Sequence, residues 1–226
     1  MIITAVESTR KRRGRVDVYV DGVVAFDVAR ATAAARGLRP GVGIDGSEIE
    51  TIVAADRRRA ALEIAAAMLA RRPHSEREVR RRLALRQFEA ALIDETVARL
   101  RDLRLLDDAE FARAWTESRD RSSPRGRRLI VQELRTAGVA APTAVEAASA
   151  VSEDEAAYRV GEKKSRALVS CEYRAFRDKL GSHLQRRGFG WDVARATVER
   201  CWRELESGRT DDAEADSDDG GGFEPA

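Results

Sequence analysis

The sequence is poor in residues that build disulfide, zinc and aromatic binding sites. Cys171 and Cys201 are its only cysteines, with no CxxC spacing, and aromatic residues make up 5% of the chain. A disulfide scaffold and a zinc site are therefore not expected, and both cysteines are interpreted as small buried residues. Two free cysteines fit a reducing compartment, so a cytoplasmic location is expected.

Long apolar runs and catalytic motifs are also missing. No stretch of 18 apolar residues occurs, and the start MIITAVESTRKRR places apolar residues before basic ones, the reverse of a signal peptide. We expect neither export nor a membrane span. The sequence has no P-loop, GxGxxG, HExxH or nucleophile elbow. Asp107 and Asp108, the best carboxylate pair, are more simply the start of a helix, so we expect no enzyme, cofactor or metal.

What the chain does have is charge, at 35% of residues beside 43% apolar residues, which favours helices with polar outer faces. The last segment, residues 207–226, carries seven acids, which leaves residues 1–206 at about +8. This acidic tail is expected to be disordered. It either folds back on a basic face and competes with a partner, or only keeps the chain soluble.

The first 46 residues predict a small β-rich module. In RVDVYVDGVVAFDV, residues 15–28, valines alternate on both sides of Asp21-Gly22, a strong signal for a two-residue type I′ hairpin. Residues 2–6 are a plausible third strand, and a short helix is expected over residues 29–36.

From residue 47 the apolar period becomes helical. Ser47 with Glu50 has the pattern of a capping box, and it predicts a helix to about residue 71 with a possible break at Asp56. A second capping box, Ser75 with Glu78, predicts the start of the next helix.

A repeat of about 50 residues follows. Leu83, Leu134 and Leu184 are each followed four residues later by Gln87, Gly138 or Gly188, and five residues later by Phe88, Val139 or Phe189. Ser123, with Pro124 after it, and Ser170 are the expected caps of the second and third leucine-bearing helices. Stacked repeats of this length predict a mainly α fold. Its expected parts are residues 1–46, three three-helix repeats at 47–106, 107–152 and 153–206 in an elongated curved rod, and the tail.

Basic residues recur on the outer side of the leucine-bearing helices. At 100° per residue, Arg77 and Arg81 fall at about 160° and 200° from Val79. The predicted binding face consists of Arg77, Arg80, Arg81, Arg82, Arg125, Arg128, Arg135, Lys179 and Arg186. Such a face suits a phosphate backbone or an acidic partner, but a solvated helix surface is an equal alternative. Trp115, Trp191 and Trp202 are interpreted as packing residues, with Trp191 partly exposed.

Four stretches together resemble the RecX regulatory family, the modulators of the RecA recombinase: RRPHSEREVRRRL (71–83), LRLLDDAEFARAW (103–115), SPRGRRLIVQELRTAGV (123–139) and GRVDVYVDG (14–22). The resemblance covers roughly residues 2–206 and implies tandem three-helix repeats in the groove of the RecA filament. It implies binding to RecA and to single- and double-stranded DNA, with inhibition of recombinase, ATPase and co-protease activities and no enzyme activity.

The third repeat departs most from the family pattern, and the acidic tail is no part of it. A stand-alone DNA-binding repeat protein without RecA contact remains the alternative, and a scaffold without a nucleic-acid role is a third possibility. A monomer is the default expectation. The sequence does not separate the residues that contact DNA from those that contact RecA.

Overall fold

The amino-terminal residues form a three-stranded antiparallel sheet in the order β1-β2-β3. The computed structural model describes residues 1–9 and 13–218, with side chains described through residue 209. The turn between β2 and β3 has φ of 49° at Asp21 and 85° at Gly22, as a type I′ turn requires. The predicted hairpin and third strand are therefore present. Their bounds are Ile3–Ser8 for β1, Arg15–Val20 for β2 and Val23–Ala29 for β3.

The rest of the described secondary structure is helical, so the fold is mainly α with a small sheet at its amino-terminal end. A short 3₁₀ helix, Arg166–Leu168, follows α8. The helices are α1 (Arg30–Ala35), α2 (Gly46–Leu69), α3 (Glu76–Ala84), α4 (Ala90–Asp102), α5 (Asp108–Ser122), α6 (Arg127–Thr136), α7 (Ala141–Ser149), α8 (Glu153–Ser165), α9 (Tyr173–Arg186) and α10 (Trp191–Asp218).

The chain divides into two units. Unit 1 contains Met1–Arg72 and Val79–Leu106, and unit 2 contains Pro73–Glu78 and the chain from Asp107 onward. In unit 1, one apolar core joins the sheet to the first half of α2, and a second joins α2, α3 and α4. In unit 2, one core joins α5, α6 and α7, and another joins α8, α9 and α10. Three three-helix repeats follow the β-rich module.

The second helix of each repeat ends in the same way. Gln87, Gly138 and Gly188 have φ of 62°, 98° and 86°, the left-handed conformation that closes a helix. The next residue then donates its N–H back to the buried leucine's carbonyl, as Val139 does to Leu134 over 3.0 Å. This is a Schellman motif, in which both apolar residues pack into one core. The leucine alignment therefore marks three equivalent helix ends.

The start and course of α2 differ from the prediction. Asp45, not Ser47, caps the helix, since its carboxylate accepts from the Glu48 N–H while Glu48 bonds back to the Asp45 N–H. The helix also continues without a break through Asp56. Asp56 is buried, and its Oδ1 accepts hydrogen bonds from the Ala29 N–H over 3.0 Å and from the Thr32 hydroxyl over 2.6 Å. Asp56 therefore connects α2 to the end of β3 and to α1 by hydrogen bonds, and the helix is continuous at this residue.

The two serine caps predicted for the later repeats are wrong. α6 begins at Arg127 with Gly126 as its cap, and Ser123 instead ends α5. α9 begins after Glu172, whose side chain makes no capping hydrogen bond, and Ser170 lies outside the helix. The cause at α6 is a set of contacts from the following repeat, described below.

The acidic tail differs from its prediction in part. The backbone of α10 is helical to Asp218, although residues 207–218 were expected to be disordered. A packed helix adds one hydrogen bond for each further residue that it orders, and the Arg209 guanidinium contacts the Val169 carbonyl near the start of the extension. Residues 219–226 lie outside the described residues, and so do the side chains of residues 210–218.

Candidate basic interface

The leucine-bearing helices α3, α6 and α9, the second helices of the repeats, each bury one face. Val79 and Leu83 are buried on α3, Ile130 and Leu134 on α6, and Phe176, Leu180 and Leu184 on α9. The apolar face predicted from the helical wheel is therefore the packed face. The opposite side of each helix is left for polar residues.

Five of the nine predicted basic residues are exposed and uncommitted. Among the described residues none of them forms an ion pair, so their guanidinium groups are available to a ligand. A free guanidinium offers a planar set of donors that matches a phosphate or a carboxylate. These five residues, hereafter the free arginines, are Arg81 and Arg82 on α3, Arg128 and Arg135 on α6, and Arg186 on α9.

Three further predicted residues are on these helices but have partners within the protein. Arg77 donates to the Thr136 carbonyl at the end of α6 over 3.3 Å. Arg80 lies 2.5 Å from the carboxylate of Asp94. The Nζ of Lys179 lies 3.6 Å from the Sγ of Cys171. Exposed contacts of this kind contribute little to stability, and a strong partner can compete for these cations.

Arg125 is the exception, because it does not project outward from α6. It precedes the helix and contacts Glu133, whose carboxylate also accepts from Arg119 over 2.9 Å and from the Trp115 indole over 2.9 Å. Burial lowers the pKa of the Arg125 guanidinium, and the charges of Arg119 and Arg187 lower it further. Arg125 was predicted to lie on the outer face of this helix, but α6 begins only at Arg127, so that placement is wrong. Arg125 is part of the packing of the second repeat.

The start of α6 is completed by the third repeat. Gly126 donates its N–H to the Arg187 carbonyl at the end of α9 over 2.9 Å. The Arg127 N–H donates to Glu153 Oε1, on the first residue of α8, over 3.0 Å. A Cβ added to Gly126 would lie 2.0 Å from the Gly188 carbonyl oxygen, so only glycine permits this approach. These contacts fix the register between α6 and α9, and with it the positions of Arg128, Arg135 and Arg186.

The same arrangement occurs at the start of α3, within unit 2. The Ser75 hydroxyl donates to the Ala137 carbonyl over 2.6 Å, and the Glu76 N–H donates to Asp108 Oδ1 over 2.8 Å. Ser75 also forms the predicted capping box with Glu78. Asp107 caps α5 as predicted, but Asp108 serves α3. The first residue of α5, Asp108, and the first residue of α8, Glu153, each accept a backbone N–H from the start of a helix in the preceding repeat. An acid at these two equivalent positions is the sequence signal that was missed.

Trp191, at the start of α10, is more exposed than a packing residue. Its side chain is 62% exposed, and the Arg195 guanidinium carbon lies 5.0 Å from its ring centre. It borders a cavity of about 490 Å³ that Arg128 and Gln185 also line. Trp115 and Trp202, by contrast, pack against apolar cores as predicted. An exposed indole beside arginines suits stacking against a base or an aromatic side chain.

The described part of the chain holds neither a membrane-spanning helix nor a cluster of metal-binding side chains. No helix there is long and apolar enough to cross a membrane. No group of three or more histidine, cysteine, aspartate or glutamate side chains there has an arrangement that would hold a metal ion. Cys201 is buried, which raises the pKa of its thiol to about 11, and Cys171 is half-buried.

Comparison with protein families matches all three repeats separately. The models of the first, second and third three-helix domains of RecX match residues 61–100, 107–147 and 152–198. The regulatory protein RecX of Bacillus velezensis is 30% identical over 88% of this chain and 76% of its own length. The chain belongs to the RecX family. The RecX of Levilactobacillus brevis is similarly related, at 31% identity over 85% of this chain and 73% of its own length.

Solved structures of RecX proteins share the fold. One crystal structure of a regulatory protein RecX superposes with a TM-score of 0.63 at 23% identity, over 88% of this chain and all of that one. RecX from Lactobacillus salivarius gives a TM-score of 0.60 at 22% identity, over 67% of this chain and 98% of its own. The predicted fold is thereby confirmed, while the family models and the curated relatives confirm the sequence resemblance.

Proposed function

We propose that this protein binds RecA and the RecA filament on DNA, and that it lowers the recombinase, ATPase and co-protease activities of that filament. Membership of a family of regulatory proteins supports the proposal. The observation that carries it is the set of exposed, unpaired arginines on the second helices, with Arg128, Arg135 and Arg186 held in register by the junction between the second and third repeats.

The chemistry of the free arginines fits a nucleoprotein surface. Backbone phosphates and acidic protein side chains are the two anions that such a filament presents, and guanidinium groups bind both through paired hydrogen bonds. The proposed contact set is the free arginines first, with Arg77, Arg80 and Lys179 as cations that exchange an internal partner. Arg125 is left out because Glu133 holds it.

The test is RecA-dependent ATP hydrolysis on single-stranded DNA with cognate RecA. Wild-type protein should lower hydrolysis at less than one molecule per RecA. The concentration of an R128A/R135A/R186A variant that gives the same inhibition should be at least about tenfold higher. Each lost charge-assisted hydrogen bond is worth about 1.5–3 kcal/mol. The charge-matched control is R59A/R166A/R203A, which removes three arginines outside the contact set. No effect of wild type at stoichiometric excess would reject the proposed function.

The second candidate is a DNA-binding repeat protein that has no RecA contact. Exposed Trp191, with Arg195 against its ring, favours it because bases stack on such side chains. It predicts tight binding to a single-stranded oligonucleotide without RecA. Three phosphate contacts would give a slope of about −2 for log K against log salt. Fluorescence anisotropy from about 50 to about 200 mM salt, roughly a fourfold range, measures that slope.

The proposed partner sets the expected location and assembly. A bacterial RecA filament on DNA forms in the cytoplasm, and each repeat of this chain supplies its own free arginines, so one chain suffices for the proposed contact. A cytoplasmic monomer is therefore part of the proposal, and sedimentation of the free protein tests its assembly state.

A further inference from the structure

A second basic feature lies in unit 2, and none of the free arginines lines it. It is a cavity of about 480 Å³ between the end of α5, the outer side of α8 and the last turns of α9. We call it the junction cavity, because it lies where the second and third repeats meet. Its charged lining consists of Asp120, Arg121, Arg159, Lys163, Lys164 and Arg187, and Ser122, Ser123 and His183 add polar groups.

The lining carries five cations against one carboxylate. That carboxylate, Asp120, is already in contact with the Arg159 guanidinium. Arg187 donates to the Pro124 carbonyl over 3.3 Å, which positions its side chain but leaves its charge unbalanced. For Arg121, Lys163 and Lys164, the part of the chain that the structure describes supplies no anionic partner.

Local helix electrostatics explain only some of this charge. Lys163 and Lys164 lie in the last turn of α8, where the helix dipole favours cations. Arg121 has the same position at the end of α5. The dipoles do not explain why the ends of α5 and α8 and the side of α9 converge on one cavity, where like charges repel.

His183 reports the resulting potential. Burial lowers the pKa of its imidazole, and the charges of Arg187, Lys164 and Arg186 lower it further. Arg159, Lys163 and Arg121 also line the cavity beside it, and Asp120, the carboxylate in that lining, is engaged by Arg159. The neutral imidazole can accept or donate one hydrogen bond to a ligand.

We propose that the junction cavity binds a ligand with at least two adjacent phosphate groups. One phosphate would balance only part of the cationic lining, and the volume falls within the range of small-molecule sites. Lysine and arginine donors with serine hydroxyls are the usual partners of phosphate oxygens. A free nucleotide and consecutive phosphates of a nucleic-acid backbone supply the same chemistry. This site does not depend on the proposed function.

Pyrophosphate is the probe, and the full-length protein is titrated with it at low ionic strength by calorimetry and by NMR of the His183 imidazole. Bound pyrophosphate should raise the pKa of His183, because it balances the cations that lower that pKa. A His183→Gln variant assigns the signal, since His74 is the only other histidine. No binding and no change in the pKa of His183 at millimolar pyrophosphate would overturn the proposal.

Two double variants separate the cavity from general charge. K163A/K164A should weaken pyrophosphate binding about tenfold or more, since it removes two charged hydrogen-bond donors. R174A/R203A removes the same charge from exposed positions that do not line the cavity, and should change binding less than about twofold. Equal weakening in the two variants would overturn the proposal, and circular dichroism checks that both remain folded.

Competition identifies the source of the phosphates. A twelve-nucleotide oligothymidylate that displaces pyrophosphate and raises the pKa of His183 assigns the cavity to a nucleic-acid backbone. ATP that displaces pyrophosphate where the oligonucleotide does not assigns it to a free nucleotide. The RecA assay with R128A/R135A/R186A is separate, because those residues do not form the charged lining of the junction cavity.

Discussion

Two junctions in the molecule are built from different chemistry. In unit 1, the sheet module is joined to α2 through a buried charge, since Asp56 accepts from Thr32 and Ala29 and lies 2.9 Å from Arg15. In unit 2, the second repeat is joined to the third mainly through backbone groups, since Gly126 and Arg127 donate their N–H groups to the next repeat. Beside its apolar core, the first junction has a buried carboxylate, whereas the second brings backbone groups into direct contact and adds the Glu153 and Asp120 carboxylates.

The largest effect is expected for Asp56→Ala, which should lower the free energy of unfolding of unit 1 by about 3 kcal/mol. Breaking a buried ion pair costs about 3–5 kcal/mol, and the lower value applies because Arg15 keeps Asp27 as a partner. Hydrogen exchange of β2 and β3 measures the loss. The control Glu63→Ala, which removes the exposed ion pair with Arg59 on the same helix, should cost under about 1 kcal/mol. Equal losses in the two variants would show that buried Asp56 contributes no more to stability than an exposed ion pair on the same helix.

Gly126→Ala should destabilise the junction in unit 2 by about 2–3 kcal/mol, because its Cβ would overlap the backbone of Gly188. Hydrogen exchange at the start of α6 and the end of α9 reports it. Gly181→Ala is the matched control, since its Cβ meets nothing within 4 Å and alanine is the better helix former by about 0.5–1 kcal/mol. Unchanged exchange in Gly126→Ala would show that the backbone contact is dispensable.

Glu153→Ala should cost about 1 kcal/mol, because the Arg127 N–H loses the carboxylate that caps it. Asp154→Ala, at the next position of the same first turn, removes an equal charge without that hydrogen bond and should cost less. Urea unfolding compares the two variants. A larger loss in Asp154→Ala would mean that the helix dipole, not the cap, accounts for the effect.

The smallest effect concerns pH. The pKa of His183 is lowered in the folded protein, so the unfolded state binds more protons below the ordinary value of about 6.5. In the unfolded chain the pKa of His183 is about 6.5. The free energy of unfolding should therefore fall slightly as the pH drops below that value. Part of that fall should disappear in His183→Gln and at high salt, where the cations near His183 are screened. A fall that is identical in the variant would assign the pH dependence to other groups.

Local patterns predicted the elements of this fold well. The alternating valines, the Asp21-Gly22 turn and the Ser75–Glu78 capping box all depend on neighbours a few residues away, and the structure contains each of them. The leucine alignment found the three second helices because the Schellman motif repeats with the same spacing. These predictions succeeded because period and turn chemistry are local properties of the chain.

The errors around the start of α6 share one cause. Ser123 and Ser170 resemble caps, but α6 is completed by partners in the third repeat, so it needs no serine of its own. Arg125 resembles an outward residue, but Glu133 draws it into the second repeat. Helix starts and side-chain directions near them depend on contacts with residues far along the chain, which a periodic pattern does not contain.

The sequence by itself predicted most of the strands and helices, the apolar faces of the helices and the resemblance to the RecX family, since each depends on local spacing or on short motifs along the chain. Only the tertiary structure decided which arginines are free, which acid caps which helix and where cations converge into a cavity. The physical reason is that hydrogen bonds and charges are satisfied by whichever group the fold brings near. That group often belongs to another repeat.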